Sequence, residues 1–124
     1  SLLVDQDEAS RRALETRLRA VGISVESTSD VHNAAALAVK LRPDLIVVEA
    51  DMACFSGLEL HECLQFAERT RSVPVVYLTA TQSPSVRSLA FEQGALAYIS
   101  KPYVPARLVK TLTSLLFSGT LGVL

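Results

Sequence analysis

The sequence predicts a doubly wound α/β domain, in which helices cover both faces of a parallel sheet. Three observations predict it: five short apolar runs, five intervening segments with helical spacing, and short connections between them. Parallel neighbours need crossover connections, so strict alternation of strand and helix favours a parallel sheet. At 124 residues, of which 49% are hydrophobic, the chain is long enough for one domain with a continuous core.

The strands are predicted from apolar runs that suit burial on both faces of a sheet. These runs lie at residues 2–4, 23–25, 45–48, 73–78 and 97–99. The helices are predicted from apolar residues that recur every three or four positions. Their stripes comprise Leu14, Leu18 and Val21; Ala34, Leu37, Ala38 and Leu41; Leu60, Cys63, Leu64 and Ala67; Val86, Leu89 and Ala90; and Leu108, Leu112 and Leu115.

Residues with strong positional preferences mark the predicted helix ends. Gly22 and Gly94 predict C-terminal ends, Ser29 or Asp30 predicts the N-cap of the second helix, and the dipeptide at 83–84, Ser-Pro, predicts the start of the fourth.

Composition excludes several classes of function. The net charge is -1 and the 12 basic residues are scattered, which disfavours nucleic-acid binding by this domain. No apolar run approaches the roughly 20 residues of a membrane span, and no signal-peptide pattern opens the chain, so we expect no membrane association and a cytoplasmic location. Cys54 and Cys63 lack metal-ligand spacing and are predicted to be reduced structural thiols. His32 and His61 are predicted to be surface residues.

Functional residues are expected at the carboxyl ends of the strands, where doubly wound sheets place their chemistry. The first strand ends at Asp5, the third at Glu49, the fourth at Thr79, and Lys101 follows the fifth. Acids there can hold a divalent cation, while a hydroxyl and an ammonium can neutralise phosphoryl oxygens. No Gly-rich phosphate loop follows any predicted strand, which disfavours a nucleotide.

The order and spacing of these segments resemble the receiver domains of bacterial two-component response regulators over essentially the whole chain. The motifs that carry the resemblance are Leu3-Val4-Asp5; Pro43-Asp44 and the strand after it, leading to Gly57-Leu58-Glu59-Leu60; Pro74 through Thr79-Ala80; and Gly94-Ala95 through Tyr98 to Lys101-Pro102-Tyr103. The resemblance implies a flavodoxin-like fold with strand order 2-1-3-4-5 and a cis peptide bond before Pro102. It also implies that Thr79 is the switch hydroxyl, Lys101 the phosphoryl-contacting lysine and Tyr98 the aromatic residue whose rotamer reports the state.

The metal position departs from the receiver pattern. Receivers carry adjacent acids after the first strand, whereas here Gln6 follows Asp5. An amide supplies no charge to offset the dehydration of a hard cation. The resemblance implies that Asp51 contributes its backbone carbonyl to the metal, rather than acting as a relocated acceptor, and Asp7 is expected to start a helix rather than bind metal. We therefore expect no cofactor, or magnesium bound weakly through Asp5, Gln6 and Asp51.

The second departure is Glu49, which stands where receivers have their phospho-accepting aspartate. Its extra carbon–carbon bond advances the carboxylate by about 1.5 Å, and misplacing a reacting atom by about 1 Å costs on the order of a hundredfold in rate. Two consequences stay open: Glu49 partly imitates the phosphorylated state, or it pairs with Lys101 and holds an inactive one.

The sequence therefore predicts an atypical receiver, or pseudo-receiver, over residues 1–117, with residues 118–124 as an extension or the start of a linker. It is predicted to act through protein contacts, not as an enzyme, with phosphorylation reduced or absent. The expected partners are a histidine kinase or output domain, and a homodimer through the fourth helix, fifth strand and fifth helix. The alternative is a phosphorylation-competent receiver in an ordinary phosphorelay; a small α/β enzyme has little support.

Overall fold

Five parallel strands alternate with five helices in the residues that the computed structural model describes, which are 1–50, 57–80 and 83–121. The strands are β1 (Leu2–Val4), β2 (Glu26–Thr28), β3 (Ile46–Glu49), β4 (Val75–Thr79) and β5 (Ala97–Ser100). The helices are α1 (Glu8–Ala20), α2 (Val31–Leu41), α3 (Gly57–Phe66), α4 (Pro84–Glu92) and α5 (Pro105–Leu121). The sheet order is β2-β1-β3-β4-β5 with every pair parallel. The predicted fold class and the implied strand order are confirmed.

Two apolar layers hold the helices on the sheet. On one face α1 and α5 pack against alternate sheet residues, and their buried residues are Leu14, Leu18, Leu108, Val109 and Leu112. On the other face α2, α3 and α4 do the same through residues that include Ala34, Ala38, Leu60, Leu64 and Ala90. Burial of each large aliphatic side chain contributes roughly 1.5–3 kcal/mol. The three central strands are therefore anchored from both sides, which holds their carboxyl ends in place.

The helix ends lie where the sequence predicts them. Asp30 caps α2 by accepting from the backbone N–H of His32, and Ser83 caps α4 with Pro84 at its first turn. Gly22 and Gly94 have φ values of 85° and 99°, so they reverse the chain in a conformation that glycine adopts without steric cost.

The second strand is displaced from its predicted position. The apolar run at 23–25 precedes the observed strand, which is β2 (Glu26–Thr28). In β2 the first residue is exposed and the other two are only partly buried. An apolar run is expected of strands buried on both faces, whereas β2 lies at the edge of the sheet, where polar residues are tolerated. Val25 is still buried, so the run packs against the core just before the strand begins.

The last helix continues past residue 117, the predicted end of the receiver-like body, and the division into residues 1–117 and 118–124 stays a proposal. Within the described ranges no helix combines the length and apolar character that a membrane crossing requires.

Candidate functional site

Asp5 lies immediately after β1 and is buried by the turn that leads into α1. Its Oδ1 accepts from the backbone N–H of Asp7 at 2.9 Å, and its Oδ2 lies 3.4 Å from Nζ of Lys101. The guanidinium of Arg11 donates to the Asp5 carbonyl at 2.9 Å. The carboxylate is therefore held in one orientation by the start of α1 and by the lysine.

Glu49 ends β3 beside Asp5, and both acids face the same lysine. Nζ of Lys101 is 3.2 Å from Oε1 of Glu49, and the side chains of Lys101 and Glu49 are each 16% exposed. Lys101 follows β5, and its backbone N–H donates to the Thr79 carbonyl at 2.6 Å. The peptide bond between Lys101 and Pro102 is cis, as the resemblance implied. One ammonium thus lies between two carboxyl groups.

Crowding of the two acids changes the protonation of Glu49. Burial, the hydrogen bond to Asp5 and the charge of Asp5 raise the pKa of Glu49 to about 7, against the opposing effect of Lys101. Burial disfavours the charge on Lys101, but the carboxylates of Asp5 and Glu49 outweigh it and raise the Lys101 pKa. At neutral pH the Glu49 carboxyl is therefore divided between its protonated and charged forms, while Lys101 stays charged.

The predicted switch residues lie on neighbouring strands. Thr79 is fully buried at the end of β4 and pairs in register with Ser100 of β5. The ring of Tyr98 stacks on Tyr77, with centroids 5.9 Å apart and planes inclined by 29°, and it contacts Phe91 at 6.4 Å. The Tyr98 hydroxyl is buried without a hydrogen-bond partner among the described residues. Ring packing, rather than a hydrogen bond, holds Tyr98 in place.

Of the predicted metal ligands, Asp5 and Gln6 lie in the described part of the chain. The Gln6 side chain is exposed, and Asp51, like Cys54, lies outside the described residues. Asp7 caps α1, as expected of a helix-starting acid, and hydrogen bonds from Ser10 lower its pKa. Ranges 1–50, 57–80 and 83–121 contain no group of three His, Cys, Asp or Glu residues suited to a metal ion. Lys101 lies 3.4 Å from Asp5 and 3.2 Å from Glu49 and offsets part of the negative charge that a divalent cation would need.

His61 was wrongly predicted to be a surface residue. It is 4% exposed, whereas Cys63, assigned to the apolar stripe of α3, is an exposed free thiol. The sequence held a signal for this: Tyr77 lies in the middle of a fully buried strand, and a buried tyrosine hydroxyl needs a hydrogen-bond partner from the covering helix. His32 is exposed, as predicted.

A 2-1-3-4-5 parallel sheet with an acid–acid–lysine cluster at its carboxyl edge defines the receiver class of signalling domain. A family model described as the response regulator receiver domain matches residues 2–113. The chain therefore belongs to the response regulator receiver domain family, the signalling modules of two-component systems.

Individual relatives agree with this assignment. The response regulator MprA of Mycolicibacterium vanbaalenii is 35% identical over 115 residues, which are 93% of this chain and 49% of that protein. The solved structure of the chemotaxis protein CheY4 of Vibrio cholerae matches with a TM-score of 0.84 and 29% identity, over 91% of this chain and 94% of that one. The receiver domain of sensor histidine kinase PA1611 of Pseudomonas aeruginosa, solved with magnesium in its active-site cleft, has a TM-score of 0.83 and 26% identity, over 94% and 96%. The chain spans about half the length of curated relatives such as MprA.

Proposed function

We propose that this chain is a pseudo-receiver, which signals through protein contacts while phosphorylation at the Glu49 position is reduced or absent. The observation that carries the proposal is the 3.2 Å contact between Oε1 of Glu49 and Nζ of Lys101. The lysine assigned to the phosphoryl group already binds the side chain at the acceptor position. An incoming phosphoryl group would have to displace that contact.

The electrostatics of Glu49 limit how well it imitates a phosphorylated aspartate. A phosphoryl group brings a charge of about -1.5 to -2 and three strong acceptor oxygens. Glu49 brings at most one negative charge, and with a pKa of about 7 it carries only part of that charge at neutral pH. Imitation of the phosphorylated state by Glu49 is therefore partial, and pairing with Lys101 in an inactive state is the competing account of the same contact.

We further propose that metal binding is weak and that this reduces phosphorylation. Phosphoryl transfer relies on a cation to neutralise charge that develops on the phosphoryl oxygens. Gln6 supplies no charge, and Asp5 is already engaged by Lys101 and by the backbone of Asp7. In this proposal Asp5, Gln6 and the carbonyl of Asp51 are remnants of a metal site.

The remaining assignments follow from family membership and are part of the same proposal. Thr79 and Tyr98 serve as the switch pair, and the domain works in the cytoplasm with a histidine kinase or an output domain as its partner. Self-association through α4, β5 and α5 is supported by exposed apolar side chains there, since Leu89 is 48% and Phe91 42% exposed. Residues 1–117 form the receiver body, and residues 118–124 are a C-terminal extension or the start of a linker.

Incubation with a small phosphodonor and magnesium, followed by intact-mass measurement, tests the proposal. The natural chain is expected to gain little or no phosphate. The variant Gln6→Asp with Glu49→Asp is expected to gain one phosphate, because it restores the second acid and shortens the acceptor. Adding Lys101→Ala to that variant should reduce uptake again, which assigns the restored reaction to this site.

A stoichiometric phosphate adduct on Glu49 or Asp51 of the natural chain would overturn the proposal in favour of an ordinary phosphorelay receiver. The PA1611 receiver domain, which was solved with magnesium in its cleft, is a suitable positive control for the metal and donor conditions.

A further inference from the structure

A buried network of hydrogen-bonded polar groups joins α3 to β4 behind the acid site, which is the cluster of Asp5, Glu49 and Lys101. Nδ1 of His61 lies 2.9 Å from Oη of Tyr77, and that hydroxyl donates to the Gly57 carbonyl at 3.3 Å. Nε2 of Gln65 lies 3.4 Å from Nε2 of His61 and also donates to the carbonyl of Gln93 beyond α4. His61 and Tyr77 are both buried in the apolar layer between α3 and the sheet.

We assign the protons of these groups from the hydrogen bond that the Tyr77 hydroxyl donates to the Gly57 carbonyl. Because the Tyr77 proton goes to the Gly57 carbonyl, the Tyr77 oxygen must accept from Nδ1–H of His61. Nε2 of His61 is then the acceptor for the second N–H of the Gln65 amide. His61 is therefore neutral with its proton on Nδ1, which agrees with burial lowering its pKa. In this assignment the three hydrogen bonds that link Gln65, His61, Tyr77 and Gly57 are donated in one direction, from Gln65 to Gly57.

At its Gly57 end, this network of hydrogen-bonded groups contacts the backbone of the acid site. A Cβ atom built on Gly57 would lie 3.0 Å from the Glu49 carbonyl oxygen, 3.2 Å from Cα of Ala50 and 3.3 Å from Cε2 of Tyr77. The first residue of α3, the end of β3 and the Tyr77 ring are thus in direct contact. A shift at any of the three displaces the others, because close-packed interiors transmit strain.

The Tyr77 ring also contacts the ring of Tyr98. The two rings stack with centroids 5.9 Å apart, and the Tyr98 hydroxyl has no hydrogen-bond partner among the described residues. The position of Tyr98 therefore depends on the rings against which it packs. Tyr77 contacts both the Gly57 backbone and Tyr98.

We propose that His61 and Tyr77 form a positioning pair that couples the start of α3, behind Glu49, to the ring of Tyr98. His61 fixes the Tyr77 hydroxyl, the hydroxyl fixes Gly57, and the Tyr77 ring fixes Tyr98. The functional meaning of this coupling rests on the proposed role of Tyr98 as the reporter of the signalling state.

Nuclear magnetic resonance of the full chain with labelled tyrosine rings tests the coupling, since the chain has only 3 tyrosines. His61→Gln removes the hydrogen bond to the Tyr77 hydroxyl, and this link to Tyr98 through the Tyr77 ring is what the experiment tests. His61→Gln is expected to shift the Tyr98 ring signals and the Gly57 amide signal. In a Tyr77→Phe background the same change is expected to lose its effect on Tyr98, because the hydroxyl link is gone. His32→Gln, at an exposed histidine, is the matched control and should leave both signals unchanged.

An unshifted Tyr98 ring in His61→Gln, or an equal shift with and without the Tyr77 hydroxyl, would overturn the inference. If the His61→Gln variant does not fold, Gln65→Ala replaces it. Gln65→Ala removes the contact to Nε2 of His61 from an exposed position, and the Tyr98 ring and Gly57 amide signals are compared in the same way. Glu49→Gln on the same spectra separates the two proposals. If the Tyr98 ring signals shift in His61→Gln but not in Glu49→Gln, the positioning pair is supported and control by Glu49 is contradicted. If they shift in Glu49→Gln but not in His61→Gln, only the positioning pair is refuted.

Discussion

Removing the hydroxyl from Tyr77 and from Tyr98 is predicted to change stability in opposite directions. Each substitution replaces tyrosine with phenylalanine and retains the ring, and both hydroxyls are buried. The Tyr77 hydroxyl bonds to His61 and Gly57, whereas the Tyr98 hydroxyl has no partner among the described residues. Comparing the two substitutions therefore separates the energy of a buried hydroxyl that is hydrogen-bonded from that of one that is not.

The magnitude follows from the contacts of Tyr77. Two net hydrogen bonds are worth about 1 kcal/mol each, and leaving Nδ1–H of His61 buried without an acceptor costs about 1–3 kcal/mol. Because these terms overlap, Tyr77→Phe is expected to lower the free energy of unfolding by about 2–3 kcal/mol. Tyr98→Phe removes a desolvated hydroxyl that makes no hydrogen bond to the described residues, so it is expected to be neutral or to raise that free energy by about 1 kcal/mol.

Urea unfolding followed by circular dichroism measures both effects, with the midpoint compared at constant slope. Tyr103→Phe, at a half-buried tyrosine, controls for loss of a hydroxyl in general. Equal destabilisation by Tyr77→Phe and Tyr98→Phe would refute the assignment of the polar chain through His61.

Three further outcomes are expected. The raised pKa of Glu49 means that the folded state retains a proton that the unfolded chain loses near its ordinary pKa, so this stabilising contribution is complete below pH 4.5 and is lost as the pH rises through about 7. Relative to Glu49→Gln, the free energy of unfolding of the natural chain should fall by on the order of 1–2 kcal/mol between pH 4.5 and about 7, allowing for solvent screening. A difference in urea midpoints that does not change with pH would contradict this prediction. Gly57→Ala should destabilise by about 1–3 kcal/mol because its Cβ meets backbone atoms, whereas stabilisation would show that the contact with Glu49 relaxes. Asp7→Ala should cost about 0.5–2 kcal/mol through loss of the α1 cap, and an unchanged thermal midpoint would argue against that cap.

Most of the fold could be predicted because the apolar pattern depends on local periodicity. Central strands such as β3 and β4 are buried on both faces, so their apolar runs mark them directly. The cap residues Asp30 and Ser83 act on their own helix ends, which is why they could be recognised without tertiary information. The position predicted for the edge strand β2 was wrong because edge strands do not need apolar runs.

The convergence of Asp5, Glu49 and Lys101 was also predictable, since parallel strands bring their carboxyl ends to one edge of the sheet. The protonation of Glu49 was not predictable, because its pKa depends on the distance to Asp5 and on burial. The sequence likewise did not distinguish His61 from Cys63 as the inward residue of α3.

By itself the sequence determined the alternation of strands and helices, the residues at each strand end and the loss of one acid at Gln6. Only the tertiary structure decided that Lys101 binds both Asp5 and Glu49, and that Tyr77 joins α3 to Tyr98. Periodicity along a chain reports which face of an element is buried. Contacts between residues distant in sequence depend on the rotation and spacing of packed elements, which no local pattern encodes.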